Sequence, residues 1–412
     1  MIVIERASDR SQDSADSGLG SLTKSSDSDS FDYKLHRRKM YQHRETAGQI
    51  FPHERVNKCG KFISFNSDCV ELVHDDTSGN SSTRGVMVCG AIWLCPSCRE
   101  RISIERRQEV NDAVKSWQAK GGKTLMLTLT ISHTLVEGCK TVLDRFTDIR
   151  GTFFDQPAVR RLMKSIGYAG RIQNLEPTYG GNGWHIHGHA LLFVDQSMTD
   201  EQIAEFQQAW IDHVKRQGGE ANLHGLHVFC PADGDEAAAY LTKWGEASEL
   251  TGEQVKISGA SRNQWQILAD ASQTDDEELA ALSARLFREY GDAFKHERYL
   301  YWSPRLRKKI FGDDDDDIEG GEEVEPGKDA RTVGYIDWLT WQYIVEVGLQ
   351  LALLEASEKC SGDFGKMSEW FSDKGLRLYH RYELHLISDN LPDDYWQRSD
   401  ALMGAFQKIE SS

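Results

Sequence analysis

The segment Trp184-His185-Ile186-His187-Gly188-His189 sets three imidazoles at a spacing of two. In an extended strand, successive side chains alternate between faces, so all three would share one face. A neutral imidazole offers one ring nitrogen to a divalent cation, and two from one strand form a rigid half of a coordination shell. A carboxylate ligand comes naturally from the strand across the turn Gly180-Gly181-Asn182-Gly183, where Glu176 stands. Such a set leaves the cation room for a phosphate oxygen. Two alternating histidines alone would favour an inert surface strand. Three, opposite a glutamate and followed by the apolar run Ala190–Val194, favour a metal strand. Hydrolases of the HxHxD type also need an Asp-His continuation, which Ala190-Leu191 does not supply.

Further along, Glu236-Ala-Ala-Ala-Tyr240-Leu-Thr-Lys243 places a carboxylate, a phenol and an ammonium on one helical face. A phenol with a pKa of about 10 is a weak nucleophile at neutral pH. It can attack phosphorus when a cation polarises the phosphate and the developing charge is offset nearby. Lys243 could offset that charge, and Glu236 could activate a water that releases a tyrosine–DNA bond. Alone the triple is weak, since most such triples are ordinary exposed helix faces. Its weight comes from the histidine strand.

Cys95-Pro-Ser-Cys98 is a tight knuckle, with Cys89 six residues earlier and Cys59 thirty before that. Four thiolates from two parts of a chain suit a tetrahedral structural zinc. Cys69 competes for the fourth place, and buried reduced cysteines are the plainer alternative. Gly121-Gly122-Lys123-Thr124 has the end of a phosphate-binding loop, but Trp117 stands where a glycine is needed and the stretch precedes a strand rather than following one. No nucleotide cofactor is expected.

These residues need elements to hold them. Residues 1–32 are rich in Ser, Asp and Gly and read as disordered. A cysteine-bearing segment spans 56–107 and runs into the charged helix Glu100–Trp117. The run Thr124–Ile131 is strongly β-type, 141–165 reads as helical, Gly170–Tyr179 as a strand, and Trp184–Val194 as its hairpin return. Asp200–Gln217 is an amphipathic helix, with Ile203, Phe206, Trp210 and Val214 on one stripe. A short strand, Gly225–Phe229, leads into the tyrosine helix. Two further helices are expected near Asp275–Tyr290 and Ala293–Lys309. The order β-α-β-β-α-β-α suits an α+β fold, an antiparallel sheet with helices packed on one face, over 108–311. An acidic linker at 312–329 and a helical C-terminal region at 330–412 follow.

The 412 residues carry a net charge of −17, at first sight wrong for a partner of a polyanion. The distribution corrects this. Residues after Gly312 hold 9 Lys+Arg against 23 Asp+Glu, which leaves residues 1–312 only 3 charges below neutral. The run Asp313–Asp317 reads as a solvated hinge, and a salty cytoplasm would also favour the acidity. No run of apolar residues is long enough to span a membrane, and the N-terminus lacks the pattern of a secretory signal, so a cytoplasmic protein is expected. Basic segments with Arg99, Arg101, Arg106 and Arg107, and with Arg305 and Arg307 near Trp302, are candidates for gripping nucleic acid. A solvated charged face is the alternative for each.

Three motifs together resemble the plasmid rolling-circle initiators, the Rep proteins of the HUH endonuclease superfamily. Thr128–His133 (TLTISH) resembles their first motif, Trp184–Val194 their histidine strand, and Ala238–Trp244 their nucleophile helix. The similarity covers about 59–250. It implies a ferredoxin- or RRM-like core, His187 and His189 as paired ligands of Mg or Mn with Glu176 as the third, and His185 as a supporting or additional ligand. It implies Tyr240 as nucleophile, in the subgroup with one tyrosine and a glutamate one turn before it, here Glu236. Gly188 departs from the bulkier apolar residue usual there. The cysteine segment resembles the region that precedes the catalytic domain in these proteins. Origin DNA, single-stranded or hairpin, and a host helicase and polymerase are the implied partners. Relaxases and single-strand transposases of the same superfamily share the metal strand and the tyrosine. A zinc-dependent DNA-binding regulator without activity, or a metal hydrolase of small substrates, are the readings from other classes.

Overall fold

The computed structural model describes residues 33–231, 233–242, 261–312, 330–380 and 383, with the backbone alone at 224 and 239–242. In chain order the first elements are α1 (Tyr33–Ile50), β1 (Val70–His74), β2 (Ser81–Arg84), α2 (Pro96–Ala119), β3 (Lys123–Thr130), α3 (Cys139–Phe153) and α4 (Pro157–Ser165). Then come β4 (Gly170–Gln173), β5 (Glu176–Gly180), β6 (Gly183–Val194), α5 (Asp200–Arg216), β7 (Leu226–Phe229), α6 (Gly234–Thr242) and β8 (Arg262–Asn263). The remainder are α7 (Gln264–Gln273), α8 (Glu277–Phe294), β9 (Tyr301–Trp302), α9 (Leu306–Phe311), β10 (Arg331–Ile336), α10 (Trp338–Glu346), α11 (Gln350–Lys359) and α12 (Phe364–Ser372).

Mixed helix and antiparallel sheet make this an α+β protein. The larger sheet runs β7-β3-β6-β4-β9, with β5 and β8 joined through the N-terminal half of β6. The long central strand β6 exists because Trp184–Val194 has no breaker after Gly188 and its apolar end is buried throughout. Its even-numbered residues Ile186, Ala190 and Leu192 pack with Phe146, Ile149, Phe206 and Trp210 of α3 and α5. Its odd-numbered residues Leu191 and Phe193 pack with Val110 and Val114 of α2, Ala237 and Ala238 of α6, and Leu306 of α9. Helices therefore cover both faces, not one as expected. The continuous apolar runs Leu125–Leu127 and Leu191–Val194 are what double coverage requires.

The expected strand Gly170–Tyr179 is two strands. Its register against β6 is unbroken, from Ile172 opposite Leu191 to Glu176 opposite His187. At the joint Asn174 turns its carbonyl away to accept from Arg150 at 3.2 Å, and its side-chain Oδ1 takes the His189 N–H instead, also at 3.2 Å. The expected helix over 293–309 is a short strand, β9, and a short helix, α9.

A second, smaller unit joins distant parts of the chain. β1 lies between β2 and β10 in a three-stranded sheet, with Val70 opposite Ile336 and His74 opposite Arg331. Leu72, Val333, Trp341, Ile344, Leu353 and Phe371 form its core with α10, α11 and α12. The segment 56–107 is thus divided, its hairpin belonging to the C-terminal unit and Cys59, Cys89, Cys95 and Cys98 to the larger core. The C-terminal region is not purely helical. Arg37 of α1 and Glu358 of α11, both buried, form an ion pair that ties the units together.

Candidate active site and metal centres

Thr128 pairs with His189 and Thr130 with His187 across β3 and β6, while Glu176 of β5 stands opposite His187. The pleat turns all of them to the face that carries α2 and α6. The His189 Nε2 and His187 Nε2 atoms lie 2.5 and 3.2 Å from the same Glu176 Oε2. Donor atoms from Glu176, His187 and His189 fall within 4.8 Å of one another, a set that could hold a metal ion. Burial would raise the Glu176 pKa, but hydrogen bonds from His187 and His189 outweigh it and hold the carboxyl well below its usual range. The carboxylate is therefore charged and aimed at two ring nitrogens, which is the donor chemistry a divalent cation requires.

The second layer fixes the rings. Thr128 Oγ1 lies 2.9 Å from His189 Nδ1. A hydroxyl both donates and accepts, so it serves the ring that presents Nε2–H to Glu176 and the tautomer that presents a lone pair to a cation. Farther along, His133 Nδ1 faces the Asn182 carbonyl at 3.0 Å, and His133 Nε2 faces His185 Nδ1 at 2.8 Å. A carbonyl only accepts, so His133 Nδ1 carries a proton. With both rings neutral, His133 Nε2 accepts from His185 Nδ1–H, and the His185 Nε2 lone pair is left facing outward from this chain of bonds. Burial, with His187 and His133 beside it, pushes the His185 pKa down to about 4. His185 is outside the three-residue cluster but adjoins it, its ring 4.9 Å from that of His187.

Gly188 has a packing reason. A Cβ there would meet Arg150 Nη1 and Phe146 Cζ at 3.1 Å and the Asn174 carbonyl at 3.2 Å. The Arg150 guanidinium, its pKa lowered to about 10 by burial, occupies the space a bulkier residue would fill. Sequence reasoning missed Asn174 and Arg150, because nothing in their spacing marks them.

Tyr240 and Glu236 lie on α6, whose buried Ala237 and Ala238 pack on α2 and the sheet. Asp233 accepts from the Glu236 N–H at 2.8 Å, and Asn111 of α2 donates to Asp235 at 2.7 Å, so the first turn is capped and pinned. Glu236 is exposed. The Tyr240 side chain and all of Lys243 lie outside the described residues.

Cys59, Cys89, Cys95 and Cys98 are all buried, and their sulfurs converge, Cys59 to Cys98 and to Cys95 at 3.7 Å and Cys89 to Cys98 at 3.4 Å. A disulfide would need about 2 Å. Four sulfurs each about 2.3 Å from one tetrahedral zinc lie about 3.8 Å apart, so the spacing fits that ion. Hydrogen bonds from Cys89, Cys95 and Cys98 pull the Cys59 thiol well below its usual pKa, and the buried Arg44 adds to this. Gly60, at φ +70°, lets the chain turn under that arginine, since a Cβ would come within 2.6 Å of Arg44 Nη1. Cys69 is outside the cluster, and burial, with Asp68 and Glu71 near, pushes its thiol up to about 11.

The candidate nucleic-acid arginines separate. Arg99 is 0 % exposed, stacked 3.9 Å over the Tyr299 ring, and offers nothing to a ligand. That expectation is corrected: helix α2 turns Arg99 inward, toward Trp93 and Tyr299. Arg101 is half-buried and Arg107 exposed. Arg106 and Arg307 both pair with Glu109, and Arg307 stacks over Trp302 at 4.1 Å. Arg305 is exposed. None of the described helices is long and apolar enough to cross a membrane.

No family model and no solved structure matches the chain. A protein of Streptomyces lividans named "Protein rep" is 31% identical over 162 residues, 32% of this chain and 35% of that protein. A "Neomycin resistance protein" of Streptomyces cyanogenus is 28% identical over 186 residues, 35% of this chain and 41% of that one. The chain spans about two-fifths of the length of these curated relatives, or less. Over roughly a third of its length, then, the chain is a relative of a Rep protein, in agreement with the resemblance its motifs carry.

Proposed function

We propose that this chain is a rolling-circle replication initiator, an HUH-type endonuclease that nicks one strand of origin DNA and remains attached through Tyr240. The observation that carries the reading is the convergence of Glu176, His187 and His189 on one point, on the sheet face against which α6 is packed. A divalent cation held there, Mg or Mn, would polarise the scissile phosphate.

The residues of the chain do the rest. The Tyr240 phenol attacks phosphorus and its proton passes to water. The oxygen–phosphorus bond to Tyr240 forms as the bond to the 3′ oxygen breaks. The departing 3′ oxygen takes up a proton and becomes the primer hydroxyl. The phosphodiester energy is kept in the tyrosine ester, so the strand can be rejoined or transferred. Lys243, one turn on, offsets the developing charge, and Glu236 activates the water that ends a round. The buried cysteines hold a structural zinc. Unwinding and synthesis fall to a host helicase and polymerase.

The test incubates the protein with a labelled single-stranded origin oligonucleotide and manganese. A covalent adduct mapping to Tyr240, and absent from Tyr240→Phe, is the expected result. Equal binding by both proteins with no adduct in either would identify a DNA-binding regulator instead.

A further inference from the structure

On the same sheet face as the imidazoles, a second feature lies at the far edge. Trp302 of β9 stands opposite Ile172, which stands opposite Leu191, two residues beyond His189. Strand spacing and rise put Trp302 roughly 12 Å from His189. Beside it opens a groove of about 420 Å³ whose lining includes Arg106, Arg298, Arg305, Arg307, Tyr299 and Trp302. Among the described lining residues there is no carboxylate. Glu109 pairs with Arg106 and Arg307 behind the groove, in a chain of net charge −17. Arg305 holds a left-handed backbone, φ 64°, rare for a residue with a Cβ, at the start of α9. Arg305 is exposed and lines the groove. The opposite wall contains Gly90 and Ile92, from the loop between Cys89 and Cys95.

We infer that this groove is a binding site for single-stranded DNA, with its arginines on successive phosphates and Trp302 and Tyr299 as surfaces for a base. Planar guanidinium forks match phosphate oxygens, and aromatic rings beside a cationic track are the chemistry of single-strand recognition. The choice of DNA rests on the nicking function proposed above. Roughly 12 Å from the metal-binding residues corresponds to about four phosphates at the 3.4 Å spacing of one B-form strand, and fewer in a stretched one. The groove thus holds the strand beside the scissile phosphate rather than at it. Its wall depends on the cysteine cluster, which gives that cluster a place in binding.

The test measures binding by fluorescence anisotropy without added divalent cation, in the Tyr240→Phe background, across roughly 50 to 200 mM salt. With a DNA of about 20 nucleotides, Arg106→Ala/Arg305→Ala lowers the slope of log K against log salt by about 1.4. That is about 25-fold in affinity at 0.1 M. Arg305→Ala alone, at an exposed position that leaves the core intact, gives about half the slope change. Lys164→Ala, in a basic groove on the opposite face, changes neither. Equal affinity and slope in the arginine variants overturns the inference, as does tighter binding of the matching RNA. If the native protein cleaves nothing while the arginine variants still lose binding, the nicking function fails and the groove stands.

Discussion

Replacing Thr128 with valine keeps the shape of the side chain and removes one hydroxyl, 2.9 Å from His189 Nδ1. His189 is 4 % exposed, so water does not replace that hydroxyl freely. When Nε2 gives its lone pair to a cation, Nδ1 must carry the proton, and in the variant that N–H points at a methyl group. Loss of such outer partners weakens metal binding about 10- to 100-fold, or about 1.4 to 2.7 kcal/mol. Calorimetric titration of Mn(II) into Thr128→Val at pH 7 should show that loss, with α-helix content unchanged by circular dichroism. Thr128→Ser, which keeps the hydroxyl, should stay within a few-fold of the native protein. Native-like affinity in the valine variant would refute the role of Thr128, and no Mn(II) binding by the native protein would refute the site itself.

Metal analysis of native protein should give close to one zinc per chain, lost in Cys95→Ser and kept in Cys69→Ser, because only the former contributes to the sulfur cluster. His185 should titrate near pH 4 by NMR of its ring protons, not near 6.5. Its folded value is depressed, so between those values the unfolded chain binds the proton and the folded one does not, and stability at this residue rises with pH across that window. A midpoint near 6.5 would show a solvated ring. Gly188→Ala should lower stability by about 1 to 3 kcal/mol through overpacking, read as a reduced melting temperature, since its methyl would press on Arg150 and Phe146. Glu236→Ala should nick at the native rate and fail to release product after one round, and normal termination would remove Glu236 from that step.

Much of the larger unit was legible because its elements carry local periodicity. Glu100–Trp117 reads as a helix and forms the body of α2, and Thr124–Ile131 marks β3 to within a residue. The alternation of His185, His187 and His189 survives as a shared face, and Glu176 comes opposite His187 because the hairpin register is set by its turn. What local pattern does not carry is partnership at a distance. Arg331–Ile336 is a strand because Val70–His74 offers it an edge more than two hundred residues upstream. Arg99 and Arg106 look alike in a basic helix, yet seven residues separate a buried guanidinium from one at a groove. Arg298 enters that groove from a loop without a motif, and Asn174 acts through a backbone it has turned aside.

The pairing of β1 with β10 also has a consequence for how the chain is made and cut. The first two strands of the smaller sheet are translated long before the third, so that sheet cannot be completed until the larger unit's residues have all been made. A protein shortened in the acidic stretch would keep every residue of the histidine and cysteine clusters, yet strip Val70–His74 of one of its two partners and bare a sheet edge open to association with other chains. Residues 330–380 therefore act less as a tail than as a clasp, and a deletion series would report solubility before it reported catalysis.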